Sequence, residues 1–429
     1  MVALVLFGTF FLLILLGVPI AFAIGSGALA GLVLVGSSPS TLVQQVLSIL
    51  DSFPYLAIPF FLLAGAIMES GGVSYRLIRF ANTLVGRYRG GLGLVSIVGT
   101  TIFSDVSGSK AADTAAIGSV TLPAMRRAGY PMDLATAFVA AGGAAAVLIP
   151  PCITMVIYGF ITETSISALF VAGFLPGLVM SGATLVMAYV MSRYRKLPAE
   201  AAPTCGEMVA AFRGALLPLG MPVIILVGIV GGVFTITEAA VVAVVYGLIV
   251  TTVVTRELPL SKLPTLMFEA SVMTGMVVVI AAVASQIQWV LTTQGIPLAM
   301  ASWIKSHSDS PAVFLLLVNV VYLILGCLLD SSAALLLATP VLFPLARLFG
   351  IDPVQFGIIL TANLGIGFVT PPVGISLFVA CGISKVRLQD AVPPLLPFIG
   401  VMVVVLMLIT YWPNFALFAP EALMGYVPR

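Results

Sequence analysis

Apolar residues run through this chain in blocks long enough to bridge a bilayer, and polar residues interrupt them at a few recurring places. At a rise of about 1.5 Å per residue and a hydrocarbon thickness of about 30 Å, a helical crossing takes about 20 apolar residues. The run from Val2 to Val35 is too long for one crossing, and Gly17, Val18 and Pro19 supply a corner that divides it. Further spans are predicted from Tyr55 to Met68, Ile166 to Met191, Leu216 to Val233, Glu238 to Val254, Leu266 to Leu291 and Pro394 to Trp412. The stretches 92-124 and 311-346 are split near their middles by the polar runs SDVSGSKAAD (Ser104 to Asp113) and GCLLDSS (Gly326 to Ser332), which predicts two re-entrant helical hairpins with polar tips. From Val73 to Arg89, apolar Val73, Leu77, Phe80, Ala81, Leu84, Val85 and Tyr88 alternate with arginines, predicting an amphipathic interfacial helix; a solvated connector is the plain alternative.

Two glycine- and alanine-rich runs each collide with a double proline: Ala140 to Pro150-Pro151, and Thr361 to Pro371-Pro372. Proline removes a backbone donor and clashes with the carbonyl four residues back, so Ala146, Val147, Gly367 and Phe368 lose their ordinary helical partners. At membrane depth such backbone is tolerated where it is buried in protein or lines a polar cavity. Two broken helices are therefore expected, over 132-161 and 354-382, around one central transport site.

A displacement of 221 residues aligns Pro123 with Pro344, Arg126 with Arg347, Gly129 with Gly350, Pro150-Pro151 with Pro371-Pro372, and Pro176 with Pro397. Each half then carries the same order of spans, hairpin, broken helix and last span, the signature of an internal duplication. The expected division is a first repeat over 1-197, a cytoplasmic linker over 198-213 and a second repeat over 214-429. The fold class is an all-α polytopic membrane protein.

With 61% hydrophobic and only 8% charged residues, the composition excludes a soluble globular chain. A net charge of +2 gives no footing for a nucleic-acid partner, and the basic residues sit in short clusters between spans. With an external N-terminus, fourteen of them fall in the cytoplasm: Arg76, Arg79, Arg87, Arg89, Arg126, Arg127, Arg193, Arg195, Lys196, Arg213, Arg256, Lys262, Lys385 and Arg387. Lys305, Arg347 and Arg429 fall outside, so the repeats are inverted and both termini are periplasmic. Cys152, Cys205, Cys327 and Cys381 have no metal-like spacing and read as packing residues.

An alkali cation needs several oxygens in a small cage. Ser104, Ser107, Gly108 and Ser109 facing Gly142 and Gly143 would form one; Asp330, Ser331 and Ser332 facing Asn363, Gly365, Gly367 and Thr370 would form its counterpart. Small residues that simply let helices approach are the alternative. Asp105, Lys110 and Asp113 are ionisable groups at membrane depth, where such groups are costly. Lys110 either pairs with Asp113 on one helical turn or meets an anionic substrate group beside the broken backbone at Pro150, Pro151, Pro371 and Pro372. An enzyme is not expected: Ser109 and Lys110 diverge as helical neighbours, and His307, the one histidine, lies in the polar run KSHSDS.

The motifs GVPIAFA (Gly17 to Ala23), IPFFLLAG (Ile58 to Gly65), Ser107-Gly108-Ser109 with TAAIG (Thr114 to Gly118), TITEAA (Thr235 to Ala240) and GFVTPPVG (Gly367 to Gly374) resemble the large membrane subunit of tripartite ATP-independent periplasmic (TRAP) transporters over nearly the whole chain. Ile236 stands where the family has proline, a departure confined to the turn. The resemblance implies a sodium-driven, elevator-type importer of an organic acid, such as a sialic acid or C4-dicarboxylate, in the bacterial inner membrane. It implies a moving transport domain built from the hairpins and broken helices, no cofactor other than the coupling Na+, a small four-helix membrane subunit and a periplasmic binding protein. A stand-alone sodium/dicarboxylate symporter and a non-transporting scaffold are the competing readings.

Overall fold

The computed structural model describes residues 2–37, 56–107, 110–296 and 310–428 with a few single residues between them, and for 104–107 the backbone alone. Among the described residues every regular element is helical. In chain order these are α1 (Val2–Leu15), α2 (Ile20–Val35), α3 (Ala57–Ser70), α4 (Val73–Val85), α5 (Gly91–Ser107), α6 (Lys110–Arg127), α7 (Met132–Ala145), α8 (Ile153–Thr162) and α9 (Ile166–Tyr194). There follow α10 (Cys205–Val230), α11 (Ile236–Leu248), α12 (Leu263–Thr293), α13 (Pro311–Leu328), α14 (Ser331–Leu348), α15 (Pro353–Gly367), α16 (Ile375–Ser384), α17 (Leu388–Tyr411) and α18 (Pro413–Met424). Eight spans among the described residues have the length and hydropathy to cross a membrane.

The corners fall where the backbone requires them. Gly17 takes φ +79° between α1 and α2, and Gly72 takes φ +72° where α3 turns into α4 through a 70° bend. Helix α4 buries Val73, Leu77, Ile78 and Ala81 against α5 and α10, and its Arg76 pairs with Glu257. Toward the C-terminal end Leu84, and Tyr88 beyond the helix, are exposed, so the buried stripe is shorter than the sequence pattern implied. Two capping boxes, Thr204 with Glu207 and Thr235 with Glu238, start α10 and α11. The first places 205–213, read from sequence as linker, inside a helix. Ile236 is the first residue of α11, the position where proline is also well suited because its amide needs no partner.

The duplication is visible in the helix bounds. Displaced by 221 residues, α6 covers 331–348, the range of α14, and α7 covers 353–366 against Pro353–Gly367 in α15. Packing obeys the same exchange: α6 lies on α16 while α14 lies on α8, as a two-fold relation between repeats demands. Cross-repeat ties include an edge-to-face pair, Phe138 with Phe398 at 5.8 Å, and a hydrogen bond from the Tyr158 hydroxyl to the Pro353 carbonyl at 2.6 Å.

Two sets of helices result. A central set, α5–α9 with α13–α18, surrounds α7 and α15, whose residues from Leu134 and Pro353 onward are buried throughout. A peripheral set packs α3 on α11 and α12, α2 on α1 and α12, and α4 on α10. The contrast in burial is large: 83% of the apolar stretch in Met132–Thr162 is buried, against 22% in Leu260–Thr293. An apolar helix that leaves Met267, Phe268 and Val279 exposed is suited to lipid, not water.

Candidate functional site

Each broken helix is interrupted at its double proline, and both prolyl pairs are cis. After α7 the backbone tightens into a 3-10 turn at Ala146–Leu148, extends at Ile149 and restarts at α8 with Cys152 as the flanking residue. After α15 the chain passes through Gly374 at φ +55° before α16. The carbonyls deprived of helical partners find others. Ile149 N donates to Ala146 O, Thr370 N to Gly367 O at 3.1 Å, and Ser376 N reaches across the second break to Phe368 O at 3.0 Å.

At the first hairpin, Lys110 opens α6 and its ammonium donates to the Asp113 carboxylate at 3.3 Å. Lys110 is 9% exposed and Asp113 0%. The pairing read from the three-residue spacing is therefore present. Thr114 Oγ1 donates to the Lys110 carbonyl at 2.8 Å and fixes the same turn. Taking both charges out of water costs as much as their attraction returns, so such a pair stabilises little but is damaging to break. The side chains of Ser104, Asp105, Ser107, Gly108 and Ser109 lie outside the described residues, as does His307.

At the second hairpin, Asp330 caps α14 by accepting from Ser332 N at 3.0 Å. Ser331 Oγ accepts from Thr154 Oγ1 of α8 at 3.4 Å. Asn363 is fully buried in α15; its amide nitrogen donates to Asn319 Oδ1 on α13 and to Ile359 O, both at 2.8 Å, while its own Oδ1 has no hydrogen-bond partner among the described residues. Thr370 Oγ1 is held by Ile366 O.

The glycines pack against neighbouring helices, and the side chains of 104–109, which the sequence pattern set opposite Gly142 and Gly143, lie outside the described residues. A Cβ at Gly365 would meet Val147 and the Ala144 carbonyl of the other broken helix; one at Gly367 would come within 2.5 Å of the Gly326 backbone in α13. Gly142 lies against Ile97 and Thr100 of α5, and Gly143 against Thr114 and Ser376. The reason is the two-fold arrangement: at the molecular centre, the small residues of one broken helix admit the other and the hairpin arms. Ser376, Thr154 and Thr114 are polar contributors not anticipated. Ser376 and Thr154 stand within four residues of a double proline, a signal that was available; Ser376 Oγ is buried without a hydrogen-bond partner among the described residues.

Both hairpin tips and both breaks open on one cavity of about 300 Å³. The first tip supplies Lys110 and Ala111, the second Asp330, Ser331 and Ser332. The breaks supply Cys152, Ile153 and Thr154, then Phe368 and Ile375. The peripheral set closes the far side with Leu62 of α3 and Met273, Met276, Val277 and Ile280 of α12. Asp113 sits behind Lys110, outside the lining, and Pro150, Pro151, Pro371 and Pro372 bend the backbone without lining the cavity. The apolar wall from α12 carried no signal in the sequence, because any lipid-facing span has the same composition.

The sequence profile of the tripartite ATP-independent periplasmic transporter, DctM component, matches residues 7–415. The chain belongs to this family. Its TRAP relatives include the C4-dicarboxylate TRAP transporter large permease protein DctM of Pseudomonas aeruginosa, 42% identical over 92% of this chain and 93% of that one. The sialic acid TRAP transporter large permease protein SiaM of Vibrio cholerae is 37% identical over 96% and 97%. Among solved structures, the Alcanivorax borkumensis YdaH transporter shares the fold with a TM-score of 0.63 over 87% of this chain and 88% of that one, at 15% identity. The chain is thus a multi-pass transporter permease, not an enzyme.

Proposed function

We propose that this TRAP permease imports an organic acid across the bacterial inner membrane on a sodium gradient, with a small four-helix membrane subunit and a periplasmic binding protein as partners. The observation that carries the reading is the cavity on which both tips, both breaks and helices α3 and α12 converge. A carboxylate is held by Lys110, whose side chain is positioned by Asp113. Sodium is coordinated near the tips and breaks; the buried, unpartnered Oδ1 of Asn363 and the two buried serines Ser331 and Ser332 support this. The central helices move as a unit against the peripheral set, in the manner of an elevator, and the smooth apolar wall of α12 suits such sliding.

Reconstitution tests the reading. This chain alone in liposomes gives no substrate-specific uptake, and addition of the small subunit and the loaded binding protein gives uptake under an inward sodium gradient. Robust uptake of free substrate by this chain alone would instead identify a stand-alone symporter, and no ion effect in any combination a non-transporting scaffold. The orientation with both termini periplasmic is checked by Arg195→Cys, expected to react with an impermeant thiol reagent only from the cytoplasm, and Glu163→Cys only from the periplasm. The reverse pattern refutes it.

A further inference from the structure

The cavity has one described cation, Lys110, and that charge is already shared with Asp113. Residues 104–109 include no lysine, arginine or histidine. The one described carboxylate in the lining is Asp330, at the opposite tip. Most of the remaining wall is apolar: Met273, Met276, Val277 and Ile280 on one side, Ile153 and Phe368 on the other. Of the hydroxyls, Thr154 and Ser331 are engaged with each other.

We infer that the organic acid taken by this cavity is a small monocarboxylate with an apolar body, and that dicarboxylates and polyhydroxylated sugar acids are poor occupants. The inference rests on reading the cavity as the substrate site. One carboxylate meets Lys110, and the rest of the molecule lies along the Met273, Met276 and Ile280 face. A second carboxylate would have to face that apolar wall or Asp330; in either place it loses its hydration without gaining a cationic side chain. A chain of hydroxyls fares little better, because each buried hydroxyl needs a partner and the α12 wall offers none. The volume, about 300 Å³, stands at the small end of ligand cavities and also favours a compact solute. This separates the present chain from relatives named for C4-dicarboxylate and sialic acid, despite their identity.

The test uses the full-length chain in nanodiscs with sodium and four probes: 4-methylpentanoate, succinate, N-acetylneuraminate and the uncharged 4-methylpentanamide. A ligand that binds the folded state raises its melting temperature, and an occupant of the cavity also shields Cys152, which lines it, from a small alkylating reagent followed by peptide mass spectrometry. The monocarboxylate is expected to raise the melting temperature and protect Cys152 at a concentration at least about tenfold below that of succinate or N-acetylneuraminate, with the amide inert. Equal or better action by succinate or N-acetylneuraminate, or stabilisation without protection of Cys152, overturns the inference while leaving a carboxylate site intact. Failure of all three acids by both measures overturns the substrate-site reading along with it.

Discussion

The two repeats share a backbone and differ in the chemistry they place on it. Position for position, Lys110 in the first answers to Ser331 in the second, Asp113 to Ala334, and Gly142 to Asn363. The first tip buries a charge pair; the second buries hydroxyls, while α15 buries the Asn363 carboxamide and Asp330 stays at the cavity surface as a helix cap. A symmetric fold thereby carries a polarised cavity, with a buried charge pair on one side and hydroxyls beside the Asp330 carboxylate on the other. Duplication supplied the geometry, and divergence at a few positions supplied the difference in chemistry.

The strongest way to break this comparison is to remove the first tip's counter-charge. Asp113→Ala removes one partner of a buried charge pair, and is expected to destabilise the protein by about 3–5 kcal/mol in denaturation of the purified chain. The double variant Lys110→Gln with Asp113→Asn is expected to recover most of that stability but not transport. Restored transport in the double variant would show that Lys110 only neutralises Asp113.

A smaller effect tests the packing difference between the two broken helices. Gly367→Ala would drive a methyl group into the Gly326 backbone at 2.5 Å, where neither side is a flexible side-chain end. An overpacking cost toward the upper part of about 1–3 kcal/mol is expected, against a smaller one for Gly142→Ala, whose nearest neighbour is at 3.2 Å. Equal losses in thermal denaturation would remove the asymmetry.

The smallest effect concerns the neutral side of the site. Asn363→Ala and Ser332→Ala are expected to reduce the sodium-dependent rise in melting temperature. Ser119→Ala, on an exposed face where the hydroxyl is satisfied by Ala116 O, leaves it unchanged. An undiminished sodium response in both site variants would separate the second tip from ion binding.

Much of the architecture was legible before any coordinates. Hydrophobic length located the spans, the double prolines located both breaks, and the internal match at 221 residues anticipated helix bounds that coincide for α6 and α14. The capping box at Thr204 was readable too, yet the polar residues around it suggested a linker. Helix α18 was not anticipated, because a short apolar segment after Trp412 carries no periodic signal distinct from the span before it.

By itself the sequence determined membrane residence, the doubled plan, the polar tips and the i,i+3 proximity of Lys110 and Asp113, because each depends on local chain chemistry: transfer of apolar groups, missing proline donors and helical spacing. Only the tertiary structure decided which surfaces meet. It turned Gly365 toward Val147 and Gly367 toward Gly326, and it set Thr154 against Ser331 across the repeats. It also brought Met273 and Met276 of a lipid-like helix to the wall of the cavity. Contacts between residues tens to hundreds of positions apart depend on how whole helices pack, and one span's composition does not encode its neighbour.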